Sequence, residues 1–137
     1  TTNTPVPADI RTYKRAQSPA NTALCNKLLK EISAGLKTAE SKVWHRAPVW
    51  FIEGNPIVGY SVLKKVVQLL FWSGASFKEK DLAPVGNAEK FKTGGILYTD
   101  TKQIVSEDVQ RWLKKSVKIQ WDYKNIVKRK GELVRLK

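Results

Sequence analysis

Trp44-His45-Arg46-Ala47-Pro48-Val49-Trp50-Phe51, followed by Gly59-Tyr60 and then by Leu69-Leu70-Phe71-Trp72-Ser73-Gly74-Ala75, is the stretch that decides the fold. Aromatic and β-branched residues broken by glycine and proline read as successive short strands. Glu53-Gly54-Asn55-Pro56 is a turn signal, which predicts a hairpin between residues 49–51 and 57–62. Pro48 has no amide to donate, so its stretch is expected at an edge or bend rather than in mid-sheet. Residues 65–72 form the clearest strand, with Val67, Leu69 and Phe71 on one face and Val66, Gln68, Leu70 and Trp72 on the other. Both faces are largely apolar, which predicts one packed beneath helices and the other only partly exposed.

Outward from this centre the period changes from two to about four. Leu24, Leu28, Ile32 and Leu36 recur at helical spacing, and Leu29 widens the face. Ser18 is a cap and Pro19 a first-turn residue, while Gly35 predicts an end near residues 36–38. Towards the carboxyl end, Ser106 is expected to cap a long helix with Glu107 and Asp108 at its positive pole. Val109, Trp112, Ser116, Ile119, Tyr123 and Val127 would form its packing face, with Arg111, Lys114, Lys115, Lys118, Asp122 and Arg129 opposite and Gly131 as the stop. Residues 73–92 read as a long connection, with a short ordered turn near 80–82, and Ile96-Leu97-Tyr98 as a last strand.

These elements predict an α+β domain in which an antiparallel sheet packs against two principal helices. Residues 1–18 are expected to be a flexible arm, 19–130 the single domain and 131–137 a basic tail. A chain of 137 residues with 42% hydrophobic content suits one core.

Twenty-five Lys and Arg against 12 Asp and Glu leave a formal charge of +13, which makes self-repulsion appreciable and attracts polyanions. No apolar run reaches the roughly 18 residues that span a bilayer, so membrane insertion is not expected. Cys25 is the lone cysteine, which excludes an intrachain disulfide and fits a reducing, cytoplasmic setting. Oligomeric state is not legible.

Catalytic and cofactor signatures are missing. His45 is the sole histidine, and with Glu53 nearby it falls short of the donor sets that hold zinc or iron. Cys25 has no CxxC partner, and Glu53, Glu79, Asp81, Asp100 and Asp108 are dispersed rather than paired. Gly94-Gly95 and Gly86 lack the flanking residues of a phosphate loop, so no cofactor is implied.

The ordered set Trp44, Pro48-Val49-Trp50, Gly54, Pro56-Ile57-Val58-Gly59-Tyr60, Lys65, Leu70-Phe71 and Gly74-Ala75 resembles the YdhG-like family, also known as domain of unknown function 1801. The likeness runs over residues 19–123. It implies a compact α+β fold similar to frataxin-like domains, and some relatives of that kind bind or deliver iron. Glu31 and Glu40 do not form the acidic ridge such a role would use, and the chain is basic. The resemblance carries no catalytic residue.

The reading that follows is a noncatalytic binding or accessory domain with an aromatic-rich sheet. Trp50, Tyr60 and Trp72 are its contact candidates for a protein or small-molecule partner, while Trp44, Phe71 and Trp112 would hold the fold. Nucleic acid is a second possible partner, through Lys114, Lys115, Lys118, Lys128, Arg129 and Lys130, with Trp121 available to stack on a base. Iron binding through His45 and Glu53 is the third.

Overall fold

A computed structural model describes residues 19–36, 39–44, 47–63, 66–84, 92–126, 128, 130 and 133–135. The expectations for the arm at 1–18, for His45, Lys65, Gly86, Val127, Arg129 and Gly131, and for most of the 131–137 tail fall outside these residues.

Helix α1 spans Pro19–Gly35 and buries Leu24, Leu28 and Ile32 almost completely. Each such side chain contributes roughly 1.5–3 kcal/mol when removed from water. Strands β1 (Glu40–Trp44), β2 (Ala47–Ile52), β3 (Asn55–Leu63) and β4 (Val66–Phe71) follow as an antiparallel meander. After a 3₁₀ turn at Gly74–Ser76, the short β5 (Ala83–Pro84) and then β6 (Gly94–Tyr98) complete the sheet. Its order is β1-β2-β3-β4-β6-β5, and helix α2 spans Ser106–Lys118.

Both helices lie on one face of the sheet. Val58, Tyr60, Val67, Leu69 and Phe71 point into that layer, and the Phe71 ring meets Trp112 of α2 edge to face at 6.2 Å. The period-two reading of β4 is realised: Val67, Leu69 and Phe71 are fully buried, while Val66, Gln68, Leu70 and Trp72 are half-buried on the opposite face.

The β2–β3 turn has Glu53 at φ 52° and Gly54 at φ 81°. Two consecutive positive φ values give the primed turn whose twist matches a hairpin, and glycine is suited to the second position. One step into the hairpin the register slips between Trp50 and Phe51: Trp50 faces Val58, and Phe51 faces Pro56.

Three expectations are corrected. Pro48 does not mark an edge; β2 lies inside the sheet between β1 and β3, with Pro48 opposite Val43 near the start of the strand. A proline is tolerated there because only one of its two neighbours loses a bond, next to the strand's first residue. Ser106 is not the cap of α2: Val105 takes that position without a side-chain bond, and the Ser106 hydroxyl donates instead to Glu31 Oε1 at 2.8 Å, linking the helices.

The third concerns length. Helix α2 stops at Lys118, and the chain becomes extended at Ile119. The Trp121 amide donates to Ser73 Oγ at 2.9 Å and the Asp122 amide to the Val134 carbonyl at 2.8 Å. Backbone groups held by such distant partners cannot also close helical turns. Tyr123 is therefore buried but off the helix, and Asp122 is buried rather than on a wet helical face.

Candidate functional site

The face of the sheet away from the helices carries its own aromatic cluster. Alternation along β1 and β2 sends Lys42, Trp44, Val49 and Phe51 to this side, and Trp72, just beyond β4, joins them. The Trp44 ring lies 5.4 Å from Phe51 edge to face and 6.1 Å from Trp72. Val49 and Phe51 are buried on the side opposite the two described helices, while Trp44 and Trp72 are half-buried. Lys42 Nζ stands 5.1 Å from the Phe51 ring centroid, placing a cation at the cluster's margin.

Beside the two indoles is a depression of about 200 Å³ lined by Trp44, Pro48, Val49, Leu70, Trp72 and neighbouring strand residues. Gly59 belongs to its lining. A Cβ at this position would come within 2.5 Å of the Pro48 carbonyl oxygen and 3.2 Å of Val49 Cγ2. The close approach of β2 and β3 therefore requires glycine, and the missing side chain leaves room between Val49 and Leu70. Gly59→Ala is expected to cost about 2 kcal/mol through overpacking, read as a lower urea midpoint with an unchanged m-value.

The sequence-predicted aromatics divide between the two faces. Trp50 is 3% exposed and lies in the helix-facing core, its ring 5.9 Å from Tyr60. Tyr60 is also buried, yet it contributes to the lining of the depression; Trp72 is the half-buried member of the three. Phe71 and Trp112 are core residues as anticipated, whereas Trp44 stands on the outer face.

The basic candidates are similarly split. Lys114 and Lys118 are exposed on α2, and Lys128 and Lys130 are exposed beyond its end. Lys115 is committed to the fold: its ammonium donates to the Phe77 carbonyl at 3.0 Å and pairs with the Glu79 carboxylate. Trp121 is half-buried, with its indole N–H donating to Ser76 Oγ at 2.9 Å. Lys92 Nζ and Arg135 Cζ lie 5.3 and 5.7 Å from its ring centroid, so cations already occupy the surroundings where a base would stack.

Two polar anchors were not singled out by sequence reasoning. Glu79 accepts from Arg111 Nη2 at 2.9 Å, from the buried Trp112 indole N–H at 3.0 Å and from Lys115. The guanidinium and ammonium beside it hold its carboxyl well below the usual range, at about 2. Asn55, 2% exposed, donates to the Trp121 carbonyl at 3.0 Å and accepts from the Lys124 amide at 3.0 Å. Glu53 is exposed at the adjoining turn, where its carbonyl accepts from Lys124 Nζ. Among the described residues, no three His, Cys, Asp or Glu side chains are grouped so as to hold a metal ion. No described helix is long and apolar enough to cross a membrane.

Geometry thus defines an α+β domain with one face of its sheet under two helices and an aromatic-rich depression on the other. Among solved structures it is similar to the crystal structure of a protein from the DUF1801 family, YdhG of Bacillus subtilis. The similarity has a TM-score of 0.57 at 16% identity, covering 89% of this chain and 91% of that one, and it speaks for the fold. A scan against protein-family models finds no match, and no curated protein matches the chain.

Proposed function

We propose that the chain is a noncatalytic binding or accessory domain of the cytoplasm whose contact surface is the face of the sheet opposite its two described helices. The observation that carries this reading is the depression of about 200 Å³ flanked by the half-buried Trp44 and Trp72. Tryptophans at the margin of an apolar hollow offer large contact area with few rotatable bonds. Trp72 serves as the contact residue, Tyr60 contributes to the wall, and Trp50 maintains the core behind it.

A panel of flat aromatic fragments tested by protein-observed NMR checks the proposal. Binders should shift the Trp44 and Trp72 indole signals, and Trp72→Ala should weaken them about tenfold, in line with loss of a hot-spot tryptophan. Fragments that bind with unchanged affinity after Trp72→Ala would place the contact surface elsewhere.

A nucleic-acid role is the second reading, favoured by the exposure of Lys114, Lys118, Lys128 and Lys130. If it holds, RNA or DNA affinity falls steeply between 50 and 200 mM salt, roughly as expected for several phosphate contacts. Joint replacement of Lys114 and Lys118 by Gln should then flatten the slope by about two contacts. An unchanged slope removes this reading.

A further inference from the structure

We infer that the chain holds a single nucleic-acid strand by its phosphates along the loop that follows α2, with Trp121 positioning cations there instead of stacking on a base. The inference rests on the nucleic-acid reading and adds the path of the strand and what is recognised on it. Residues 121–137 carry six Lys and Arg against Asp122 and Glu132, so the basic excess is local to this segment. Asp122 is buried, and its carboxylate accepts from the Asn125 side chain. The loop is closed where Trp121 bridges Arg135 and where the Asp122 amide donates to the Val134 carbonyl at 2.8 Å. Lys128 and Lys130 are exposed on it, and no described carboxylate lies within ion-pair reach of either.

Trp121 organises two more cations. Its amide is held by Ser73 Oγ and its indole N–H by Ser76 Oγ, each at 2.9 Å, which fixes the ring. Lys92 Nζ and Arg135 Cζ stand 5.3 and 5.7 Å from the ring centroid, within cation–π range. Side chains already ordered on the indole lose less freedom when they meet a phosphate. The same two cations crowd the ring as a stacking platform. Phe77, next to Ser76, accepts from the Lys115 ammonium, so the loop and the last turns of α2, with exposed Lys114 and Lys118, meet at residues 76–77.

A phosphate strand suits this surface better than an acidic protein or a lipid layer. It carries one charge per nucleotide and releases condensed counterions when several cations meet it at once. A polypeptide reaches that density only with consecutive carboxylates. A membrane surface draws on aromatic rings that can insert, and Trp121 is half-buried and tied to Ser73 and Ser76.

The test uses the full chain and a fluorescein-labelled oligothymidylate of about 20 nucleotides, followed by anisotropy. Contacts from Lys92, Lys128, Lys130 and Arg135 on the loop side, with Lys114 and Lys118 on α2, predict that affinity falls about 300-fold between about 50 and 200 mM salt. Lys128→Gln combined with Lys130→Asn should cut that fall to about fiftyfold. Asparagine is chosen at 130 because it tolerates the φ of 56° found there. An abasic strand of the same length should bind within about threefold, whereas loss of a base stacked on Trp121 would cost roughly fivefold or more. Circular dichroism confirms that the variant is folded.

A salt dependence unchanged by Lys128→Gln with Lys130→Asn would overturn the loop as the path; if Lys114→Gln with Lys118→Gln still reduces it, the nucleic-acid reading stands without the inference. Weakening of roughly fivefold or more on the abasic strand would overturn recognition by phosphates alone. Polyglutamate, or vesicles containing phosphatidylserine, that displace the labelled strand as well as unlabelled oligothymidylate does at equal charge would assign the surface to an acidic protein or a membrane and overturn the inference. If the oligonucleotide shows no salt-sensitive binding even at about 50 mM salt, the inference and the nucleic-acid reading fall together.

Discussion

Asn55→Ala is expected to destabilise the protein by about 3 kcal/mol and lower its melting temperature by about 10 °C. Asn55 lies at the start of β3, yet its partners belong to the segment that follows α2. Its amide donates to the Trp121 carbonyl, and its Oδ1 accepts from the Lys124 backbone, while Gln120 Oε1 stands 3.3 Å from the same amide nitrogen. Truncation leaves the two backbone groups without these partners in a part-buried setting, each at about 1–3 kcal/mol. Asn55→Asp should recover little, since a carboxylate keeps the acceptor for Lys124 but turns a second acceptor towards the Trp121 carbonyl. Urea titration reads the loss, and amide exchange at Lys124 should accelerate before that of the β3–β4 ladder. A loss below about 1 kcal/mol would show that the 120–124 segment is fixed by other contacts.

The second large effect is at Glu79. Glu79→Ala removes the acceptor of the buried Trp112 indole N–H and the partner of Arg111 and Lys115, at an expected cost of about 3 kcal/mol. Glu79→Gln retains an oxygen for the indole and loses the charge, so it should cost about half as much. Its pH dependence follows from the depressed carboxyl, with an ordinary value of 4.5 and a folded value of about 2. Stability from the ionised form is fully present above about pH 5 and is lost as pH falls from 4.5 through 2. The stability gap between the parent and Glu79→Gln should therefore be constant from pH 7 to 5 and close below pH 3. A gap that persists undiminished at pH 2 would assign the effect to packing instead of charge.

Elements whose side chains alternate cleanly were legible in the sequence. In β4 every second residue is Val67, Leu69 or Phe71, and in α1 the Leu24-Leu28-Ile32 series marks one stripe, so face and period could be read together. Local chemistry likewise announced the Glu53-Gly54 turn. The orientation of β2 was less accessible because Pro48-Val49-Trp50-Phe51 is apolar at every position. Only its register with β3, including the slip after Trp50, sends Trp50 to the helices and Phe51 outward. Thus Trp44 lies on the outer face and Trp50 in the core beneath the helices.

The end of α2 shows the other limit. Ile119 and Tyr123 continue its helical spacing, but Ser73 and Asn55, far away in the chain, capture the backbone at residues 121 and 124. Such bonds exist only once the sheet has formed. The same holds for Glu79, which reads as a loop carboxylate until Arg111, Trp112 and Lys115 are brought to it by α2. The depression was foreshadowed by the density of tryptophans and by Gly59, but its location depends on which face of the sheet the two described helices occupy.

The five tryptophans provide the most direct test of where this protein makes its contacts, because their indole N–H signals report on separate places. Trp44 and Trp72 stand on the face opposite the two described helices, Trp50 and Trp112 in the core, and Trp121 beside Ser76. Titration with the flat aromatic fragments, observed by NMR on the folded full chain, should move the Trp44 and Trp72 indole signals together with the Leu70 amide and leave Trp112 unchanged. Movement confined to Trp121 and the amides of Lys114 and Lys118, with Trp44 and Trp72 still, would contradict the account.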